Sequence, residues 1–303
     1  MKIGIDLGGS HIGIGVVDTD GNIVEKFEKR IVSKDRKNVK KVIEEYIIEK
    51  SNLLLEKYKI SSIGIAVPGT VQKDIIIKSV NFNLENYKLV ERLKQVLNIE
   101  IKLKNDAKCA ALAENKYGAG KLKNSNRILF LTLGTGIGGA VIINNKLLDT
   151  GDEPGCEFGH MIIQKNGIMC NCGKKGCFER YASMKAFKDN LREVLGLDEK
   201  TSGKELLNII RKTTQKTQNY LKINRIINNY IEDLSIGISN IINIFEPESI
   251  ILGGSFVFYE EIFLAKLKEK LLNSDLLFNK RKGIDIQTAI LGNDAGIIGA
   301  TLI

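Results

Sequence analysis

The chain has 303 residues and a formal charge of +9, and its hydrophobic fraction of 43% is that of a globular protein, which argues against disorder and suits two compact lobes. No apolar run approaches the ~20 residues of a membrane span, and the opening Met1-Lys2-Ile3-Gly4-Ile5 reads as a strand and not a leader, so a soluble cytoplasmic protein is expected. Only nine of the 45 basic residues are Arg, the lysines are interleaved with Glu and Asp, and aromatics are 6%; a solvated lysine-rich surface is expected, with no nucleic-acid partner and no membrane partner.

In chain order, Ile3 to Leu7 and Ile12 to Asp18 read as strands about a Gly8-Gly9 turn. Val39 to Tyr58 carries apolar residues at helical spacing, and Ile63 to Val67 is a short strand ending at Pro68-Gly69. Ala107 to Tyr117 reads as a helix entered through Asn105-Asp106. Ile128 to Leu133 and Ala140 to Ile143 are strands about Gly134-Thr135-Gly136-Ile137-Gly138-Gly139, an echo of the first hairpin. Helices follow over Met184 to Leu195, Gly203 to Lys212, Tyr220 to Phe245 and Glu260 to Leu272. A strand at Ser249 to Leu252 runs into Gly253-Gly254, and Ala295 to Ile303 closes the chain as a helix.

Three strand-to-glycine turns suggest a nucleotide site built from loops, because glycine lets backbone N–H groups approach a phosphate unobstructed. The middle turn satisfies G-x-G-x-x-G, but a dinucleotide fold needs a helix to open there. Ala140-Val141-Ile142-Ile143 is a strand instead. A Walker A loop also fails, since Gly118-Ala119-Gly120-Lys121 is followed by Leu122 and offers no hydroxyl for magnesium. The turns look more like the paired phosphate loops of actin-like sugar kinases. In that arrangement Asp6, Gly8, Gly9, Ser10 and His11 form one loop, with Asp6 orienting a hydrated Mg2+. Gly134, Thr135, Gly136 and Gly138 form the other, and Gly253 and Gly254 belong to the same ATP site.

Cys170, Cys172 and Cys177 lie within eight residues, and His160 precedes them. One His and three Cys at this spacing match a closed tetrahedral Zn2+ site, which is structural and does no chemistry. Cys109 reads as core, and Cys156 as a bystander.

Glu157-Phe158-Gly159-His160 followed by Cys170-Asn171-Cys172-Gly173-Lys174-Lys175-Gly176-Cys177-Phe178-Glu179 resembles the signature of the ROK family (repressors, open reading frames and kinases). With the turn at residue 6, Pro68-Gly69, Asn105-Asp106, the loop at 134, Gly253-Gly254 and Asp294-Ala295-Gly296, the resemblance spans nearly the whole chain in order. It implies an α/β, two-lobe actin-like fold with a structural zinc loop. The lobes would be 1–118 plus 286–303 and 119–285, with the active cleft between them and dimerisation helices in the second. It implies Asp106 as catalytic base and, together with Gly69, Asn81, Asn105, Glu157, His160 and Glu179, as a sugar contact. His160 would ligate zinc through one ring nitrogen and reach the sugar with the other.

Departure from the common pattern occurs at His11, where many members carry Lys or Asn and some allose-kinase-like members share the His. The implied activity is ATP-dependent phosphorylation of a hexose C6 hydroxyl, glucose first, with N-acetylmannosamine, N-acetylglucosamine, mannose or allose as alternatives, by a homodimer. A sugar-responsive repressor is the other reading. Such repressors carry a helix-turn-helix before the first phosphate turn, and with Asp6 as the sixth residue none is expected here.

Overall fold

The computed structural model describes residues 1–9, 11–122, 125–148, 155–215, 217–273, 275–278 and 283–303. β1 (Lys2–Gly8), β2 (His11–Val17) and β3 (Ile23–Arg30) form an antiparallel meander, followed by α1 (Val39–Lys57) and β4 (Ser62–Val67). β5 (Thr70–Gln72), β6 (Ile75–Ser79) and β7 (Leu84–Tyr87) make a small separate antiparallel sheet, and α2 (Leu89–Lys94) leads into β8 (Glu100–Asn105) and α3 (Asp106–Lys116). In the main sheet the order is β3-β2-β1-β4-β8, with β4 parallel to both β1 and β8. Ile3, Ile5, Leu7, Ile63, Ile65 and Ile101 are buried on this sheet against Ile43, Ile47 and Leu54 of α1. The parallel register sets Asp6 beside Ala66 and Val67 beside Asn105, so the carboxyl ends of three neighbouring strands line up. Carboxyl ends of parallel strands are where open α/β sheets bind ligands.

The second sheet has the order β11-β10-β9-β12-β13, built from β9 (Arg127–Leu133), β10 (Ile137–Ile143) and β11 (Lys146–Leu147). Next come the short α4 (Glu179–Ala182), then α5 (Met184–Leu195), α6 (Gly203–Lys212) and the long α7 (Tyr220–Phe245). β12 (Ser249–Gly253), α8 (Glu260–Asn273), β13 (Asp285–Thr288) and α9 (Ala295–Ala300) complete the chain. β12 runs parallel to β9 and β13. Phe187, Tyr230, Tyr259 and Phe263 pack as an aromatic cluster, with ring centroids 4.8 to 5.9 Å apart. Among the described residues no helix is long and apolar enough to cross a membrane.

Two compact units result, 1–124 with 142–155 and 290–303, and 125–141 with 156–289. This differs from the division expected from sequence at three places, each for a local reason. Ala119 N–H donates to Glu114 Oε2 at 2.8 Å, which keeps the 119–122 turn with α3. The stretch after 141 pairs Ile142 with Leu147, and Asn115 of α3 donates to Asn145 at 3.2 Å, so it stays with the first unit. β13 pairs with β12, so 285–288 belongs to the second unit. The return to the first is made by Glu114, fully buried, whose Oε1 accepts N–H from Ile290 and Leu291 at 3.0 and 2.8 Å. α9 also stops at Ala300, short of the expected Ile303, because Thr301 turns its hydroxyl back onto the Ile298 carbonyl.

Candidate active site

In the first unit the strand ends gather the sequence-predicted polar residues. Asn105, the last residue of β8, caps α3 by accepting the Lys108 N–H on Oδ1 at 3.1 Å. Its Nδ2 donates to the Gly69 carbonyl at 3.0 Å, fixing the amide and the turn after β4 together. Gly69 has φ +116°, and a Cβ there would sit 2.2 Å from the Lys78 carbonyl, so the turn requires glycine. Asp106 opens α3, where the positive end of the helix dipole favours its anion, and Oδ1 accepts the Ala107 N–H at 2.8 Å.

Asp6 lies close enough to Asp106 for the two carboxylates to repel. Burial first, and then the Asp106 charge, push Asp6 up to about 7 from an ordinary 3.8, against the pull of Lys26. Lys26 is itself anchored by Asp294 at 2.7 Å, and α9 brings Gly296 so near that a Cβ there would meet the Asp6 carboxyl at 2.5 Å. His11 Nε2 stands 3.9 Å from Asp6 Oδ2, and the ring covers Gly8. Asn81 faces the Gly9 turn, its Nδ2 3.2 Å from where a Gly9 Cβ would be, and its carbonyl accepts from Arg36. Ser10 lies outside the described residues.

In the second unit the 134–136 turn joins β9 to β10, and Gly134 and Gly136 of the turn and Gly139 of β10 have three different reasons. A Cβ at Gly139 would clash with Phe130 and Leu131, which is packing. At Gly136 it would strike Glu179 Oε2 at 2.3 Å, the same oxygen that accepts the Ile137 N–H at 3.0 Å. At Gly134 nothing lies within 4 Å, so the space a side chain would fill is open to a ligand. Thr135 is exposed at the tip, and Gly138 continues into β10. Gly254, at φ +71°, would set a Cβ 2.7 Å from the Leu133 carbonyl, so the Gly253-Gly254 turn abuts the start of the same loop. The tie between Glu179 and the turn, 42 residues apart, left no signal in the sequence.

Glu157 is exposed and precedes a single helical turn ending at His160. One ring nitrogen of His160 and the Sγ atoms of Cys170, Cys172 and Cys177 all lie within 4.8 Å of one another. Cys170 Sγ is 3.7 Å from Nδ1, and Cys172 Sγ is 3.5 Å from Cys177 Sγ. Tetrahedral Zn2+ with bonds of ~2.0–2.3 Å needs ligand separations of roughly 3.4–3.8 Å, so the donor set fits. Burial, and then hydrogens shared with Cys172 and Cys170, push the Cys177 thiol up to about 12. A bound cation reverses that preference by holding thiolates. Ligation through Nδ1 leaves the ring proton on Nε2 as a donor. Cys156 stands outside the cluster, and Cys109 is fully buried, as expected.

With these features in place, the comparisons give the class. The chain belongs to the ROK family, which it matches over residues 2–303, and its fold is the α/β, two-lobe actin-like one. It is 34% identical to the glucokinase of Thermotoga maritima, over 99% of this chain and 96% of that one. It is 29% identical to the xylose repressor of Bacillus subtilis, over 100% of this chain and 76% of that one. The crystal structure of a ROK family glucokinase from Streptomyces griseus in complex with glucose and AMPPNP matches with a TM-score of 0.79 at 26% identity, covering 99% of this chain and 97% of that one.

Proposed function

We propose that the chain is an ATP-dependent sugar kinase that transfers the γ-phosphoryl group of ATP to the C6 hydroxyl of a hexose, with glucose the first choice. The observation that carries this reading is the strand register of the first unit, which sets Asp6 of β1 and Asn105-Asp106 at the end of β8 on the same carboxyl edge of one sheet. Phosphoryl transfer calls for one carboxylate near a magnesium ion and another near the attacking hydroxyl. Asp106 accepts the C6 proton as the hydroxyl oxygen bonds to the γ-phosphorus and the bond to ADP breaks. Asn105, held by Gly69, orients a sugar hydroxyl, as do Asn81, Glu157, Glu179 and the Nε2–H of His160. Asp6 would help hold the Mg2+ that arrives with ATP, which would supply charge neutralisation for the phosphates. The 134–136 and 253–254 turns, where glycine leaves the backbone open, cradle the phosphates, while the Gly134 and Ile137 N–H groups hold the first turn in shape by donating to the Gly136 carbonyl and to Glu179. His160, Cys170, Cys172 and Cys177 would hold Zn2+, which would keep the imidazole in one rotamer.

A coupled ADP-release assay over glucose, mannose, allose, N-acetylglucosamine and N-acetylmannosamine tests the reading, with the Asp106→Asn protein as blank. Turnover of at least one sugar is expected. Tight sugar binding without turnover of any would favour the sensor reading, to which the match of the whole chain with 76% of a xylose repressor lends weight.

Gly134→Ala is expected to leave the melting temperature unchanged, because its methyl enters open space. The KM for ATP should rise about tenfold or more, since that space is the phosphate's; ~1.4 kcal/mol of lost contact suffices. An unchanged KM would remove the turn from the ATP site. Protein purified without a histidine tag is expected to carry one zinc per chain by emission spectroscopy, and Cys177→Ser to lose it. Metal-free protein that folds and binds sugar normally would reject the structural role of zinc.

A further inference from the structure

A groove of about 580 Å³ lies wholly within the first unit, lined by none of the residues assigned to sugar, ATP or metal above. Five lysines from four separate segments line it: Lys73 in the turn between β5 and β6, Lys102 and Lys104 on β8, Lys108 on α3, and Lys146 on β11. Residues 102 and 104 share the outward face of the edge strand β8, because Ile101 and Leu103 between and beside them are buried. The lining holds one acidic side chain, Asp74, and its carboxylate is already committed to the Leu103 N–H at 2.9 Å. Lys102 also pairs with Glu100 at 3.4 Å, and Lys73 and Lys104 have polar partners of their own. Lys108 and Lys146 have no ion-pair partner among the described residues. Val71, Leu112, Leu147, Leu302 and Ile303 provide an apolar wall.

Like charges crowded around one concavity repel, and a concave surface of one sign focuses field and concentrates anions. Lysine ammonium groups are general phosphate binders. The volume is that of a small-molecule site and far exceeds one inorganic phosphate, while the apolar wall suits a carbon skeleton. We propose that this groove is a second ligand site, taking a small organic molecule that carries two phosphate groups. Lys108 sits two residues beyond Asp106 on α3, so a bound anion would act on the helix that begins with the catalytic aspartate. That coupling rests on the kinase reading; the binding itself does not.

Calorimetric titration in divalent-free buffer tests it, with fructose 1,6-bisphosphate and inorganic pyrophosphate as probes. The wild-type chain is expected to bind the bisphosphate. Lys146→Glu, an exposed position whose change spares the fold, should weaken that binding at least tenfold, and the Lys108→Gln/Lys146→Gln double variant likewise. Gly134→Ala should leave it unchanged. Pyrophosphate binding as tightly as the bisphosphate would overturn the organic occupant, as the carbon skeleton would then contribute nothing. Failure of both probes to bind, affinity unmoved by Lys146→Glu, or binding abolished by Gly134→Ala would overturn the site. None of these readouts depends on sugar turnover, so they stay separate from failure of the kinase reading.

Discussion

Asp106→Asn is expected to reduce kcat by about a thousandfold, within the range ascribed to general-base catalysis, and to leave sugar binding and zinc content unchanged. The amide is isosteric, and its oxygen can still accept the Ala107 N–H that Asp106 holds at 2.8 Å. The α3 cap is untouched, because Asn105 makes it. What disappears is the capacity to take a proton. A second consequence follows from the neighbouring carboxylate. With the Asp106 charge gone, Asp6 keeps its burial but loses one of the two causes that raise it, and should titrate lower than about 7. Stopped-assay kinetics with a melting curve and metal analysis check the first effect. Turnover within threefold of wild type would reject Asp106 as the base.

Asp6→Asn should abolish turnover and yet stabilise the fold above neutral pH. The folded group titrates at about 7 and the unfolded one near 3.8, so between those values the folded chain binds more protons. Stability therefore falls as pH rises from about 4 to 7 and levels off beyond, and the burden at alkaline pH is on the order of 4 kcal/mol. An asparagine carries no such charge but keeps its own desolvation cost, so a net gain of roughly half that is expected. In divalent-free buffer the wild-type chain should lose melting temperature between pH 5 and pH 8, and the Asn variant should lose less. Parallel loss in both proteins would show that the pH-dependent burden lies elsewhere. A gain in stability with loss of function is the pattern of a group kept for chemistry.

The readable features are those whose physics is local in the chain. Four soft ligands at metal spacing can be recognised within an 18-residue stretch, and the structure draws all four together. Asn105-Asp106 at a helix mouth is a local signal, as is each glycine turn. The period-2 pattern of Glu100 to Asn105 was equally available, yet β8 was not anticipated, nor was the β5–β7 sheet with its very short strands. Three glycines matching one motif could not be told apart, because their reasons lie in partners distant in sequence: Glu179 for Gly136, Leu131 and Phe130 for Gly139, open space for Gly134.

By itself the sequence determined which donors the chain carries and in which turns, since ligand type, helix caps and glycine turns depend on residues a few positions apart. Only the tertiary structure decided that Asp6 is burdened by Asp106, 100 residues away, and that Glu114 returns the chain to the first unit at residue 290. It also decided that five dispersed lysines share one groove. The physical reason is common to all three. Burial and charge–charge interaction depend on distance through space, and the β-sheet register, which no short window of residues encodes, sets that distance.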